Sequence, residues 1–307
     1  MYPISNTRTV KPHNRQESVK TYCSHKIGWI GKKALQTDMG RRVFDTLYKS
    51  NVYSFFSSQI SDFKNYKLLS EIQKQPIPKH LAVIMDGNRR FATQVGLSPT
   101  QGHYYGIDKL EQLLDWCLEI GVKILTVYAF STENFTRKSE EINILMELCD
   151  LQIKRAQKDE RIHKKKVRVK LLGDITVLPK QLQKSVKDLE EKTKDYNEYQ
   201  FNIAFAYGGR EEIVHAIKQI VDDVSNNTIA PDQITEETVS SYLYTTGLPD
   251  PDLILRTSGE ARISNFLLWQ IAYSELYFTD VYWPAFRRTD FFKAIKDYQQ
   301  RKRRYGK

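Results

Sequence analysis

From Lys79 onward the chain alternates two apolar patterns, and that alternation leaves few folds open to it. Short runs rich in β-branched and aromatic residues fall at 80–85, 122–130, 167–172, 200–206 and 252–256. Between them apolar residues recur at helical spacing. Ile107, Leu110, Leu113, Leu114 and Leu118 make one such face, which stops at Gly121, a residue suited to ending a helix. Further helical stretches cover 138–158, 180–195 and 210–223, and 158–166, with Lys164-Lys165-Lys166, reads as a charged, solvated helix end. Near-continuous apolar strands separated by helices predict an α/β fold, a mainly parallel β-sheet covered by α-helices on both faces. A single such domain is expected over residues 76–307.

The first 75 residues form an extension of another kind. Residues 1–26 are polar, basic and without period, the pattern of a flexible tail. In 27–49, Leu35, Met39, Val43 and Leu47 share a helical face bordered by Lys32, Lys33, Arg41 and Arg42. That face suits either packing on the main domain or lying on anionic lipid. A second amphipathic segment runs from Val52 to Leu69, and Pro76 and Pro78 then admit the first strand. No apolar run is long enough to span a bilayer, so membrane contact is expected to be peripheral. Net charge is +10, which favours an anionic partner such as nucleic acid, a membrane surface or a phosphorylated small molecule. The widely spaced Cys23, Cys117 and Cys149 fit a reducing compartment better than a disulfide scaffold.

The polar chemistry gathers where the strands end. Asp86-Gly87-Asn88-Arg89-Arg90 follows the first run and Ser131-Thr132-Glu133-Asn134 the second. Gly208-Gly209-Arg210 and Arg256-Thr257-Ser258-Gly259 follow two others. In a parallel sheet the C-terminal strand ends share one edge, where ligands bind. Asp86, Arg90, Ser131, Asn134, Arg137, Arg256 and Arg262 are therefore expected to face one crevice. Guanidinium forks match phosphate oxygens, helix N-termini add backbone donors, and one acid among them suits a Mg²⁺ ion bridging to a diphosphate. Independent surface salt bridges are the plainer alternative, disfavoured because four strand ends carry such clusters. Gly208-Gly209 is not a dinucleotide fingerprint, and neither a phosphate-binding P-loop nor a His-Glu-x-x-His motif occurs. His80, His103 and His215 are too scattered to predict a zinc cluster, and His215 sits within a helical run as a structural residue. No nucleic-acid partner is expected: a reader motif is lacking, and the arginines follow strands rather than one helix face.

The segments "HLAVIMDGNRRFA", "YAFSTENFTR", "GGREEI" and "DLILRTSGEARISNFLLWQIAYSELYFTDVYWP" resemble the cis-prenyltransferases over residues 76–306. These enzymes make undecaprenyl diphosphate in bacteria and dehydrodolichyl diphosphate in eukaryotes. The resemblance implies repeated addition of isopentenyl diphosphate to farnesyl diphosphate, each new double bond cis, with the product growing into a hydrophobic tunnel. It implies that Asp86 holds Mg²⁺ and helps the allylic diphosphate leave. Gly87, Asn88, Arg89 and Arg90 would cradle that diphosphate, with Arg137 and His103 nearby. Ser131 and Asn134 would stand at the reacting carbons, Asn134 assisting proton removal, with Thr132 and Glu133 beside the substrate. Arg256, Arg262, Ile263 and Ser264 would grip isopentenyl diphosphate, and Glu275 resembles a second metal-linked acid. Phe91 and Phe135 would flank the allylic chain. Leu110, Leu113, Leu114, Leu145 and Leu148 are either tunnel lining or ordinary core.

A helix running from Ile142 to the Lys164 cluster would be long, which resembles the long-product eukaryotic members that make dehydrodolichyl diphosphate for dolichol synthesis and protein glycosylation. That would place the chain peripherally on the cytosolic face of the endoplasmic reticulum or on lipid droplets. Arg304-Tyr305-Gly306 matches a terminal motif of the family, implying that Arg304 and Gly306 reach a diphosphate and that the enzyme is a homodimer. The alternatives are a short- or medium-chain product, a need for an accessory subunit, or a chain that is itself a non-catalytic accessory subunit. Pro99, Ala261 and Ala285 depart from the family's usual residues.

Overall fold

The computed structural model describes residues 66–301. Six strands, β1 (His80–Ile84), β2 (Ile124–Ser131), β3 (Val167–Leu172), β4 (Tyr199–Tyr207), β5 (Leu253–Arg256) and β6 (Glu275–Phe278), form one sheet in the order β3-β4-β2-β1-β5-β6. Every pairing is parallel. The helices are α1 (Asn88–Gln94), α2 (Pro99–Ile120), α3 (Ser139–Ala156), α4 (Glu160–Lys164), α5 (Lys180–Thr193), α6 (Gly209–Ser225), α7 (Glu236–Tyr242) and α8 (Arg288–Gln300).

The central runs form strands that bury both faces. Along β1, Leu81 and Val83 enter one core while Ala82 and Ile84 enter the other, the two-residue alternation of a pleated strand. The larger core packs the sheet against Leu113 and Cys117 of α2, Met146 and Ile153 of α3, Val186 of α5 and Phe291 of α8. The smaller one packs Tyr128, Ala204 and Tyr207 against Phe266 and Leu267.

Helix ends follow the local residues. Ser98 caps α2 in a capping box with Gln101, and Pro99 sits just inside, where its fixed φ and missing N–H cost nothing. That gives Pro99, which departs from the family's usual residue, a structural role. Gly121 ends the helix in the left-handed conformation, as its sequence position predicts. α1 crosses α2 so closely that a Cβ on Gly102 would lie 2.3 Å from the carbonyl oxygen of Asn88.

Three features differ from the sequence reading. The expected long helix is two elements: α3 ends at Ala156, and Asp159 caps α4 separately by accepting from the Arg161 N–H at 2.8 Å. The edge strand β6 was not anticipated, because it is short and no helical pattern precedes it. Residues 66–72 are helical and, counted from sequence with the extension, pack on the domain: Ile72 is fully buried, Gln299 donates to its carbonyl and Lys296 pairs with Glu71. The segments read at 1–26 and 27–49, most of 52–69, and the terminal Arg304-Tyr305-Gly306 lie outside the described residues.

Candidate active site

Register brings the polar clusters together. Ile84 aligns with Tyr128 on one side and with Arg256 on the other, so the ends of β1, β2 and β5 meet at one edge. The chain leaves β1 toward β2 and leaves β5 toward β6, in opposite directions. The crevice between β1 and β5 is therefore a topological switch point, the usual ligand position in an open parallel sheet.

Asp86 stands at that crevice. Its backbone N–H donates to Thr257 Oγ1 at 3.0 Å, and the Thr257 hydroxyl donates to the Asp86 carbonyl at 2.7 Å. Its carboxylate accepts from Arg256 at 2.9 Å and lies 3.2 Å from Arg90. Burial pushes the Asp86 pKa up, but hydrogen bonds from Arg256 and Ser258 and the charges of Arg256 and Arg90 outweigh it and hold the group below its ordinary value. Gly87 follows with φ 105°, and a Cβ there would come 2.8 Å from the Tyr282 ring. Only glycine makes this turn and lets α1 begin at the crevice.

Two guanidiniums face the carboxylate from different elements. The Arg256 side chain is 4% exposed and also donates to Ser264 Oγ at 2.7 Å and to the Arg262 carbonyl. Arg90 donates to Ser258 Oγ at 2.6 Å and to Glu260 at 2.8 Å, with its guanidinium over the Tyr282 ring. Glu260 in turn accepts from Arg262 at 2.6 Å.

A second cationic group lies across the cleft. Glu141 accepts from Arg137 at 2.9 Å, is 3.6 Å from His103 Nε2 and 4.0 Å from Arg89. Burial, then the charge of Arg137, lowers the His103 pKa, so the imidazole is neutral at neutral pH. Its Nε2 has no hydrogen-bond partner, and neither does the buried Asn88 Oδ1 beside it. Ser131 ends β2, and its N–H donates to Asn134 Oδ1, which closes the turn Thr132–Thr136. Glu133 accepts from Asn265 at 2.8 Å.

These groups line a cleft of about 1060 Å³. Asp86, Gly87, Asn88, Arg89, Arg90, His103, Ser131, Glu133, Asn134, Arg137, Arg256 and Ser264 all face it. Arg262, Ile263 and Thr132 do not line it, and the exposed Arg262 side chain pairs with Glu260. Phe91 turns away to meet Tyr105 edge-on, and Phe135 packs on Phe130. Glu275 needs correction: it begins β6, aligned with Leu253 at the opposite edge of the sheet, and pairs with Arg301 at 3.0 Å. Within this chain it cannot share a metal with Asp86. Sequence reasoning missed Tyr282, Glu141, Glu260 and Asn265. Glu141 was findable, four residues after Arg137 on a helix; Tyr282 comes from a distant loop and had no such signal.

The cleft continues into an apolar cavity of about 210 Å³ between the sheet, α2 and α3. Met85, Asn88, His103, Tyr128, Ala129 and Leu145 line both spaces. Leu110, Leu114, Leu145 and Leu148 face the cavity, whereas Leu113 is fully buried core. Cys149 lines it too, its thiol pushed up to about 12 by burial and so unreactive. One polar end and one apolar end describe a site for a charged headgroup with a hydrocarbon tail.

Among the described residues no group of three or more His, Cys, Asp or Glu side chains is placed to hold a metal ion. Asp86, held ionised at the crevice, is the residue that would hold a Mg²⁺ ion there.

A family model described as "Putative undecaprenyl diphosphate synthase" matches residues 84–306. The chain is 53% identical over 247 residues to a tritrans,polycis-undecaprenyl-diphosphate synthase (geranylgeranyl-diphosphate specific) of Picrophilus torridus, covering 80% of this chain and 97% of the relative. A protein of the same description from Methanocaldococcus jannaschii is 48% identical over 286 residues, 92% of this chain and 100% of its own. The crystal structure of lavandulyl diphosphate synthase from Lavandula x intermedia, in complex with dimethylallyl diphosphate, superposes with a TM-score of 0.72 at 34% identity. It covers 75% of this chain and 99% of its own.

Proposed function

Because the chain belongs to the cis-prenyltransferase family, we propose that it extends geranylgeranyl diphosphate with isopentenyl diphosphate to an undecaprenyl-length product. The observation that carries the reading is the charged cleft opening directly into an apolar cavity. The primer is inferred from the names of the archaeal relatives. It replaces the farnesyl primer and dolichol-length product expected from the sequence, whose long-helix argument fell with the break after Ala156. The peripheral endoplasmic-reticulum or lipid-droplet placement expected from the sequence was argued from that longer product.

In this reading Asn88, Arg89, Arg90, His103 and Arg137 bind the allylic diphosphate, and the allylic chain enters the cavity past Met85 and Leu145. Arg256, Arg262 and Ser264 bind the diphosphate of isopentenyl diphosphate on the β5 side. Held so, the two substrates meet near Ser131 and Asn134. The allylic C–O bond breaks, and diphosphate leaves with the electron pair. The isopentenyl double bond then forms the new C–C bond, and the proton lost beside Asn134 passes to the departing diphosphate. Fixed guanidiniums stabilise the departing negative charge without reorganising, and the shared cleft supplies proximity. A Mg²⁺ ion at Asp86 would add charge neutralisation on the leaving diphosphate. The acid Asp86 and the guanidiniums of Arg90 and Arg256, all facing the cleft, favour a catalytic chain over a non-catalytic accessory one. We also infer a homodimer in which Arg304 and Gly306 approach the partner's diphosphate. The product is too apolar for water, so peripheral membrane contact is part of the proposal; no described helix is long and apolar enough to cross a membrane.

The test is incubation of the purified full chain with Mg²⁺, labelled isopentenyl diphosphate and either farnesyl or geranylgeranyl diphosphate, followed by product sizing. Higher kcat/KM with geranylgeranyl diphosphate is expected. Clear preference for farnesyl diphosphate with products of dolichol length would restore the earlier assignment.

A further inference from the structure

The Gly208-Gly209-Arg210 turn opens α6 after β4, and none of its three residues lines the cleft. It reaches the cleft through one side chain. Gly209 donates its N–H to the Asn265 carbonyl at 2.7 Å, and Arg210 donates its N–H to Asn265 Oδ1 at 2.9 Å. Asn265 Nδ2 then donates to Glu133 Oε1 at 2.8 Å. The neighbours fix the orientation of the amide, since a carboxylate only accepts and a backbone N–H only donates. Asn265 has φ 62°, a left-handed conformation that Asn and Asp tolerate. Gly208 has an ordinary extended backbone with φ −150°, so its value is space rather than conformational freedom. A Cβ there would lie 2.6 Å from Thr132 Oγ1 and 2.9 Å from Asn265 Nδ2, and one on Gly209 would lie 3.0 Å from the Leu268 backbone nitrogen. The two glycines let the start of α6 close onto Thr132 and Asn265.

We propose that Asn265 is a positioning residue for the elongation activity proposed above, a latch between the two halves of the cleft. On one side Glu133 belongs to the turn that carries Asn134 and follows Ser131. On the other, Asn265 follows Ser264, whose hydroxyl Arg256 holds at 2.7 Å. Anchored by the start of α6, Asn265 fixes the separation of these two loops, and with it the alignment of the reacting carbons. Releasing the latch moves the Ser131–Asn134 turn but leaves Arg89 and Arg90, which lie on α1, where they are. A misplacement of about 1 Å is enough to cost a large factor in rate.

The experiment measures kcat and both KM values for Asn265→Asp, Glu133→Gln, the two together and Gly208→Ala, in the full chain with its preferred primer. Asn265→Asp keeps the acceptor for Arg210 but loses the donor and sets two carboxylates against each other. It is expected to lower kcat about tenfold, with KM for the primer held within about twofold. Glu133→Gln keeps an acceptor for Asn265 and should stay near the unaltered kcat. In the double variant the new amide at position 133 donates to the new carboxylate at position 265, restoring the bond with its direction reversed, and most of the lost kcat should return. Should Asn265→Asp fail to fold, Gly208→Ala decides the matter: it presses on the latch from α6 and should lower kcat to a similar degree. Normal kcat in Asn265→Asp, or a double variant no better than Asn265→Asp alone, overturns the latch and leaves the enzyme assignment standing. So does a Glu133→Gln variant as impaired as Asn265→Asp, which would put the Glu133 charge on the substrate itself. An unaltered chain that elongates no primer overturns the assignment, and the latch with it.

Discussion

Asp86 serves two masters. It neutralises a guanidinium that is almost wholly buried, and it faces the crevice where the proposed Mg²⁺ ion would sit. Asp86→Ala therefore confounds two effects, because stranding the buried Arg256 charge costs about 3–5 kcal/mol on its own. Asp86→Asn keeps a hydrogen-bond acceptor and separates them. It should lower kcat by about a thousandfold while Tm falls less than in Asp86→Ala, checked by steady-state assay and calorimetry on one preparation. Near-normal kcat would remove Asp86 from the chemistry. The two arginines read together from sequence also part company. The Arg262 side chain is exposed and paired with Glu260, so Arg262→Ala should raise KM for isopentenyl diphosphate about tenfold and leave the allylic KM nearly unchanged. Arg256 bonds Asp86 directly, so Arg256→Ala should impair both substrates and kcat. Most of these residues were legible because strand ends converge. Glu275 misled, because a motif gives order along the chain but not which edge of the sheet a strand's first residue occupies.

At the scale of elements, the central strands are joined by a buried polar chain. Pro249 offers only a carbonyl, so His80 Nδ1 must carry the proton that donates to it at 2.7 Å. His80 Nε2 then accepts from the Thr126 hydroxyl at 2.8 Å, and Thr126 accepts from Asn202 at 3.0 Å. The chain links β1, β2 and β4 and requires a neutral imidazole. Burial lowers the His80 pKa from 6.5 to about 4, against the opposing pull of Pro249 and Asp252. Below 6.5 the unfolded chain binds a proton that the folded one refuses, so stability falls as pH drops from 6.5 toward 4. The loss is about 3 kcal/mol across that window, measurable by urea unfolding at stepped pH. His80→Gln should flatten that segment of the profile, and an unchanged slope would contradict the neutral assignment. The α1–α2 crossing gives a second prediction. Gly102→Ala would press a methyl on the Asn88 carbonyl and on Ala92, costing about 1–3 kcal/mol and raising KM for the allylic substrate by displacing α1. Both would show in unfolding and kinetic assays. Strands with β-rich runs were legible in the sequence, and so were the long helices with one apolar face. β6 and α1 were not, because four to seven residues carry too little periodicity and tertiary contacts decide them.

At the scale of the whole molecule, a parallel sheet places its polar strand ends above an apolar interlayer, and that juxtaposition is what an amphiphilic diphosphate needs. The arrangement follows from the topology: reversal of chain direction between β1 and β5 opens the crevice, and α2 and α3 roof the cavity behind it. The most direct test of this account is a crystal structure of the full chain with Mg²⁺ and a non-cleavable thio-analogue of geranylgeranyl diphosphate. The account predicts the diphosphate group against Arg90, Asn88 and the Asp86 edge, with the hydrocarbon running between α2 and α3 toward Leu148. A diphosphate bound elsewhere, or a tail lying outside that cavity, would contradict it.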